Sequence, residues 1–358
     1  MRIIYDFDIF FLQKFGGISR YFINISNLLT QKKIYAKIVS PLHTNEYLKI
    51  NNSNNGFYID KYPRYTRKII YNLNKRIFNF SAKLIKPDIV HKTYYHHHQK
   101  IKKTKTVLTI YDLTHELMST EYNYKGEFYD KKKAIDNSDK IICISENTKK
   151  DLINHYQIQE DKVKVIYLGG NHLGQVPDIP DKENNILYVG SREKYKNFKC
   201  LINAYSNSTF LKKNFKIICF GGGSFTKKEL DFFYSKKINI KNITAISGND
   251  MLLKSFYLKS KVHVITSYNE GFGITAVEAM NLNCPVISSD KGSMPEIITD
   301  DNDLFDPDRF EDLKNKLEKL LISDELITQK IKNGKIHSKK FTWEKCAKKT
   351  LDLYNSLT

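Results

Sequence analysis

Long apolar runs are absent. No stretch of the 358 residues reaches the ~18 apolar residues that a bilayer-spanning helix needs, which excludes an integral helical membrane protein. No secretory leader is expected: Met1-Arg2-Ile3-Ile4-Tyr5-Asp6-Phe7-Asp8 reaches two aspartates before any apolar core and offers no small-residue cleavage site. The expectation is a cytoplasmic protein. Cysteine is sparse and odd in number, with Cys143, Cys200, Cys219, Cys284 and Cys346 scattered through mostly apolar runs, which argues against a disulfide framework or a zinc site and for reduced, packed thiols. Arginine is scarce as well, seven of the 58 basic residues. Base reading leans on bidentate arginine, and no helix-turn-helix, zinc-finger or RNA-binding sheet motif is present, so nucleic acid is not the expected partner.

What the chain does have is positive charge, +19 at pH 7, which favours anionic partners such as phosphates or an acidic membrane face. The excess is local. From Lys61 to Lys105 thirteen basic residues face the single acid Asp88. Within that segment Ile70, Leu73, Ile77 and Leu84 fall near helical spacing with Arg67, Lys68, Lys75, Arg76 and Lys83 around them, as in a helix that lies on an anionic bilayer; a core-packed helix with a solvated basic face reads the same way. The expectation is peripheral contact with an anionic inner membrane leaflet.

The length suits two cores better than one. Strand-like runs at Arg2 to Tyr5, Ala36 to Ser40, Asp88 to His91, Thr106 to Tyr111, Lys140 to Cys143 and Lys164 to Tyr167 are separated by helical patterns, among them Gly17 to Leu29 and Asn147 to Tyr156 after the cap Ser145. Such alternation predicts an α/β fold with a parallel sheet, because parallel neighbours need a crossover that is usually a helix. Near 174–185 two prolines, a glycine and polar residues interrupt it. The pattern then restarts at Ile186 to Val189, Phe215 to Phe220, Asn242 to Ile246, Val262 to Thr266 and Pro285 to Ser288. Two doubly wound, Rossmann-like domains facing a cleft are expected, over 1–174 and 175–340, with a C-terminal helix at 341–358 packing back on the first.

The segment Val262 to Asn281 carries the most chemistry. A buried strand ending at Ser267 leads through Tyr268-Asn269-Glu270-Gly271-Phe272-Gly273 into a helix that starts at Ile274-Thr275. Two glycines at a helix start leave backbone N–H groups uncovered, and these with the helix dipole suit a diphosphate. Glu270 and Glu278 would repel that phosphate on contact, so they are better placed to accept hydrogen bonds from hydroxyls on either side of it. A sugar nucleotide has hydroxyls on both sides. Read alone, two glutamates eight apart also fit a solvated helix and a plain turn.

In its context the segment resembles the Glu-x7-Glu motif of the retaining glycosyltransferases with two Rossmann-like domains (GT-B), the large family four that includes many bacterial mannosyltransferases. Gly16-Gly17-Ile18-Ser19-Arg20 is similar to the family's glycine loop, Ile142 to Lys149 and Val165 to Gly169 to segments before its linker, and Tyr188 to Phe198 to the first strand and turn of its donor domain. The resemblance implies that Gly16 and Gly17 approach the donor diphosphate, that Lys196 sits against the donor phosphates, and that Glu270 meets the transferred sugar and Glu278 the ribose. Tyr195 stands where the family often has arginine, leaving Arg192, beside Ser191, as the candidate second charge. Tyr111 stands where the family commonly has histidine, leaving Asp112 and His115 as alternatives for contacts to sugar or acceptor. Base and sugar specificity would lie around Ser247 to Asp250 and Tyr268.

His91 and His96-His97-His98 match no standard metal spacing, and solvent or acceptor contact is expected of them. The pairs Asp6/Asp8, Asp301/Asp303 and Asp306/Asp308 do not sit as the metal-dependent architecture requires, so no metal cofactor is expected. The resemblance thus implies a cytoplasmic hexosyltransferase that moves a sugar, by family tendency mannose from GDP-mannose, with retention onto a saccharide or lipid-linked saccharide in surface polysaccharide or lipopolysaccharide synthesis. A nucleotide-sugar epimerase or glycogen-type synthase on the same fold, and a non-catalytic basic binding module, are the competing readings.

Overall fold

The computed structural model describes residues 1–50, 54–96, 100–118, 131–174, 181–192 and 194–358; His97, His98 and residues 175–180 of the expected linker lie outside them. Two compact units emerge. One comprises the described residues within Met1–Leu113, Tyr124–Gly169 and Trp343–Thr358, the other those within Thr114–Asn123 and Gly170–Thr342. Each is built on one wholly parallel sheet with helical crossovers, as the alternation of elements predicts.

In the first unit the strands β1 (Arg2–Tyr5), β2 (Tyr35–His43), β3 (Asn54–Tyr58), β4 (Ile89–Lys92), β5 (Lys105–Ile110), β6 (Lys140–Cys143) and β7 (Val163–Val165) are ordered β3-β2-β1-β4-β5-β6-β7. Ile3, Ile4 and Tyr5 are fully buried, as befits a central strand covered on both faces. Helix α1 (Gly17–Gln31) buries Tyr21, Phe22, Ile25 and Leu29. Helix α3, numbered after α2 (Arg67–Ile85), runs over Glu146–Tyr156 and is capped as expected by Ser145, whose hydroxyl accepts from the Thr148 amide at 3.0 Å. Strand β3 has no counterpart in the sequence reading, because its Asn54-Asn55-Gly56 start carries no apolar run.

Two expectations need correction here. His91 is not at the solvent: it is fully buried on β4, with its Nε2 2.8 Å from Thr109 Oγ1 and its Nδ1 against the Tyr354 hydroxyl. Burial pushes its imidazole down to about 3, so it is a neutral packing group. Along α2 the apolar face is not a single stripe through Ile70. Phe78 and Ala82 are buried against Ile4, Phe7, Val39 and Val90, with Ile70, Tyr71 and Ile85 packed on them, and the buried Asn74 amide clasps the Leu42 peptide, accepting from its N–H and donating to its C=O at 2.8 Å each.

In the second unit β8 (Glu183–Val189), β9 (Lys216–Phe220), β10 (Ile243–Ile246), β11 (Ser260–Ile265), β12 (Val286–Ser289) and β13 (Leu304–Phe305) are ordered β10-β9-β8-β11-β12-β13. Its core joins Ile186, Tyr188, Val262 and Val264 from the sheet to Leu201, Tyr205, Phe233, Leu313 and Leu317 from the helices. Helices α4 (Phe198–Ser206), α5 (Asp250–Lys259) and α6 (Ile274–Asn281) follow β8, β10 and β11. The last helix, α7 (Trp343–Asn355), belongs to the first unit, where Trp343 meets Tyr21 and Tyr354 meets His91. All five cysteines are free and buried, and burial pushes each thiol up, those of Cys200, Cys219, Cys284 and Cys346 to about 12.

Candidate functional site

Strands β8 and β11 are neighbours at the middle of the second sheet, yet the chain leaves β8 towards β9 and leaves β11 towards β12. The chain thus changes direction between them, and at such a switch point the ends of the strands are where parallel sheets bind ligands. The loop after β8 supplies Ser191, Arg192 and the turn Lys194–Lys196; the loop after β11 supplies 266–273, leading into α6. The two are stitched together: Thr266 Oγ1 donates to the Lys196 carbonyl at 2.7 Å, and the Tyr268 amide to the Tyr195 carbonyl at 2.8 Å.

This stitching brings the Lys196 ammonium onto Glu270, 2.7 Å from Oε1, with both side chains largely covered at 20% and 17% exposure. Burial pulls the Lys196 ammonium down, but the carboxylate of Glu270, with help from Tyr195, more than reverses this and holds it above the ordinary lysine range. Glu270 is fixed from three more directions. Ser267 Oγ donates to the same Oε1 at 2.6 Å, while the amide and hydroxyl of Ser293 donate to the Glu270 carbonyl at 3.0 and 2.9 Å. Ser289, at the end of β12, donates to the Ser267 carbonyl. Gly292, in the left-handed region at φ 60°, lies so close that a Cβ there would come within 2.7 Å of the Glu270 nitrogen.

Immediately beyond Glu270, Gly273 at φ 79° begins α6, and no side chain caps the helix. The amides of a first turn have no intrahelical acceptor, so this end favours an anion. Phe272 is buried edge-on against Phe341 and fixes the turn, while Gly271, Ile274 and Thr275 stay partly accessible. Tyr268 donates its hydroxyl to Asp308 at 3.0 Å. Lysine, carboxylate and helix start thus form one cluster with a positive and a negative arm.

The remaining expected residues are placed differently. Glu278 faces inward at 2% exposure, accepting from the Tyr257 hydroxyl at 2.9 Å and lying 3.3 Å from His172 Nε2. Arg192 sits beside the same loop, but its guanidinium is taken up by Glu229 at 2.7 Å and by the carbonyls of Gly221, Gly223 and Ser224 at 3.1 Å each. It braces the glycine turn 221–223, whose residues all have positive φ. Ser191 gives its carbonyl to the Tyr188 hydroxyl, and Ser247 is exposed just after β10. In the first unit, Gly16 and Gly17 stand at the start of α1, where Ser19 Oγ donates to the Gly16 carbonyl. The Asp112 carbonyl accepts from Lys131 Nζ at 3.1 Å. His115 is exposed on the short helix Thr114–Leu117 of the second unit, and the buried Tyr111 hydroxyl donates to the Thr93 carbonyl.

Members of each aspartate pair are already engaged, Asp308 by Tyr268. Asp6 accepts from Thr93 and pairs with the buried Lys92, Asp8 accepts from Tyr71, and Asp303 pairs with Lys330. Among the described residues no group of three or more His, Cys, Asp or Glu gathers as a metal site would. Sequence reasoning missed Ser267, Gly292, Ser293, Tyr257 and His172. Only Gly292-Ser293 carried a usable signal, a glycine just past a strand that neighbours β11.

Fold and site together define an α/β protein of two parallel-sheet units, the second with an anion-suited helix start at its switch point. Residues 172–337 match the family model "Glycosyl transferases group 1" and residues 15–171 the model "Glycosyltransferase Family 4". The chain belongs to glycosyltransferase family 4, of the GT-B kind. It is 34% identical over 237 residues to an uncharacterized glycosyltransferase of Methanocaldococcus jannaschii, covering 65% of this chain and 64% of that one. It is 26% identical over 282 residues to the serotype-specific mannosyltransferase WbdA of Escherichia coli, covering 71% of this chain and 34% of WbdA. The chain therefore spans less than two thirds of the length of either relative. In structure it is similar to the sucrose-phosphate synthase of Thermosynechococcus elongatus, with a TM-score of 0.79 at 17% identity over 99% of this chain and 98% of that one.

Proposed function

We propose that the protein is a hexosyltransferase that takes a nucleoside diphosphate sugar as donor and transfers the sugar, with retained configuration, to a hydroxyl of a saccharide or lipid-linked saccharide. The observation that carries this reading is the Lys196–Glu270 pair at the uncapped start of α6. Diphosphate oxygens entering there meet an ammonium and the first-turn amides, which stabilise the negative charge that grows on the leaving nucleotide. Glu270, relieved of Lys196, accepts from sugar hydroxyls. Glu278 exchanges part of its contact with Tyr257 or His172 for a ribose hydroxyl. Arg192 acts as a positioning residue through the 221–223 turn.

In the proposed step the bond from the anomeric carbon to the phosphate oxygen breaks as the acceptor oxygen bonds to that carbon from the same face. The acceptor proton passes to the departing phosphate oxygen. Helix amides and Lys196 do the electrostatic work that a divalent ion would otherwise do, so the reaction is proposed to need no metal. GDP-mannose is the favoured donor, on the strength of the mannosyltransferase among the relatives, and surface polysaccharide or lipopolysaccharide synthesis at the cytoplasmic face of a membrane is the proposed setting.

Radiolabelled nucleotide sugars offered with lipid-linked acceptors test the reading. Label should move to the acceptor with the wild-type chain and not with Glu270→Ala. Release of a free epimerised nucleotide sugar without acceptor would favour an epimerase instead, and label that moves equally with Glu270→Ala would overturn the site.

A further inference from the structure

We infer that one face of α2 is a docking surface for an anionic lipid bilayer. The helix carries two apolar faces, and only one is used by the core. Phe78, Ala82, Ile70, Tyr71 and Ile85 pack inward. A second series, Ile69, Leu73, Ile77, Phe80 and Leu84, is left at the surface with exposures of 69%, 43%, 38%, 62% and 67%. Its spacing of four, four, three and four places all five within an arc of about 80° at 3.6 residues per turn. The series is therefore a continuous stripe nearly the length of the 19-residue helix, and not a scatter of single exposed residues such as any surface has.

The stripe is held outward by a specific lock. Asn74, buried about 100° round the helix from the middle of the stripe, makes hydrogen bonds to both the N–H and the C=O of Leu42 in β2, so rolling the helix to hide the stripe would leave a buried amide and a buried peptide unpaired. On the helix wheel Arg76 and Lys83 border the stripe along one side, with Lys68 and Lys86 beyond them; all four are exposed. An apolar stripe beside a row of cations fits acyl chains below and anionic headgroups at the edge, with the long basic stems lying along the boundary.

Charge decides between this occupant and a second copy of the chain. Facing two such helices would oppose the exposed cations Lys68, Arg76, Lys83 and Lys86 of each with no acidic residue on either helix, whereas an anionic surface neutralises them. Nucleic acid would answer the cations but has no use for five exposed aliphatic and aromatic side chains. The surface is separate from the donor site and stands independently of the glycosyl-transfer reading.

The test is flotation of the full chain with vesicles of phosphatidylcholine alone or mixed with phosphatidylglycerol. The wild-type chain should float with the mixed vesicles and only weakly with the neutral ones. Ile69→Ser/Phe80→Ser/Leu84→Ser should weaken binding about ten-fold or more, and Arg76→Glu/Lys83→Glu by about five-fold or more for each charge removed. Both variants alter exposed side chains only, and an unchanged melting temperature verifies the fold. Flotation of the triple variant at wild-type strength, failure of the wild-type chain to float with mixed vesicles, or a dimer in sedimentation that the triple substitution dissolves would each overturn the proposal. None of these outcomes bears on donor binding, which is read separately by nucleotide titration.

Discussion

Replacing Lys196 by methionine keeps the length of the side chain and deletes its charge. In the structure the ammonium is 2.7 Å from Glu270 and about four-fifths covered, so the substitution removes a pre-positioned cation from a poorly solvated place. A single such donor aimed at charge that develops in the transition state contributes about 3–4 kcal/mol, which corresponds to a fall of roughly 10²–10³ in turnover. The fold should lose far less. Glu270 keeps its bond from Ser267, and the pair touches solvent, so the expected cost is about 1–2 kcal/mol. Steady-state kinetics with a saturating acceptor, alongside a melting curve, separates the two effects. The partner substitution has the opposite signature: Glu270→Gln releases the ammonium to the diphosphate, so donor affinity should hold or rise while kcat falls. If Lys196→Met turns over within about three-fold of wild type while folded, the electrostatic argument fails.

Three further outcomes are expected. Tyr257→Phe removes the donor to the buried Glu278 carboxylate and should lower stability by about 1.5–3 kcal/mol in urea unfolding; an unchanged midpoint would mean that Glu278 is satisfied without it. Gly292→Ala forces a left-handed alanine against the Glu270 backbone and should weaken donor binding more than ten-fold, with about 1–3 kcal/mol lost from the fold; unchanged donor binding would show that the Glu270 loop tolerates the shift. Burial pushes the His263 imidazole down to about 4, so the folded chain refuses a proton that the unfolded chain accepts near 6.5. Its contribution is whole above that pH and is lost as pH falls towards 4, about 3 kcal/mol in all. Equilibrium unfolding across that window should show the decline, and His263→Leu should remove part of its slope. An identical slope in the variant would remove His263 from the explanation.

Much of the fold was legible because parallel sheets write themselves as buried apolar runs. Arg2–Tyr5, Lys140–Cys143 and Ile274–Asn281 occur at the expected limits, and most other ends differ by a few residues. Strand β4 runs one residue further than its apolar run because Lys92 is buried beside Asp6, a pairing that no local pattern reveals. Strand β3 escaped because an edge strand starting Asn-Asn-Gly has no apolar signature. At the site, the Gly-Phe-Gly turn was legible from strand, turn and helix order, whereas Lys196 was named only through the family resemblance. What was not legible is where each charge is spent. Arg192 looks like a free cation in sequence, yet it braces Gly221, Gly223 and Ser224 through contacts some thirty residues away. The inward turn of Glu278 likewise depends on Tyr257 and His172, which no spacing connects to it. On α2, periodicity found a helix but could not say which of two apolar faces the core would take; Asn74 decides that.

The central claim is that the site built by the β8 and β11 loops binds a nucleoside diphosphate sugar, and ligand-induced stabilisation measures this most directly. Melting curves of the wild-type chain and of Lys196→Met are recorded with GDP-mannose and with other guanosine, uridine and adenosine diphosphate sugars. At a ligand concentration of about 100 times Kd the wild-type chain should gain about 2.7 kcal/mol with its donor, and Lys196→Met should gain much less. Absence of stabilisation by every nucleotide sugar, or equal stabilisation of the variant, would contradict the account.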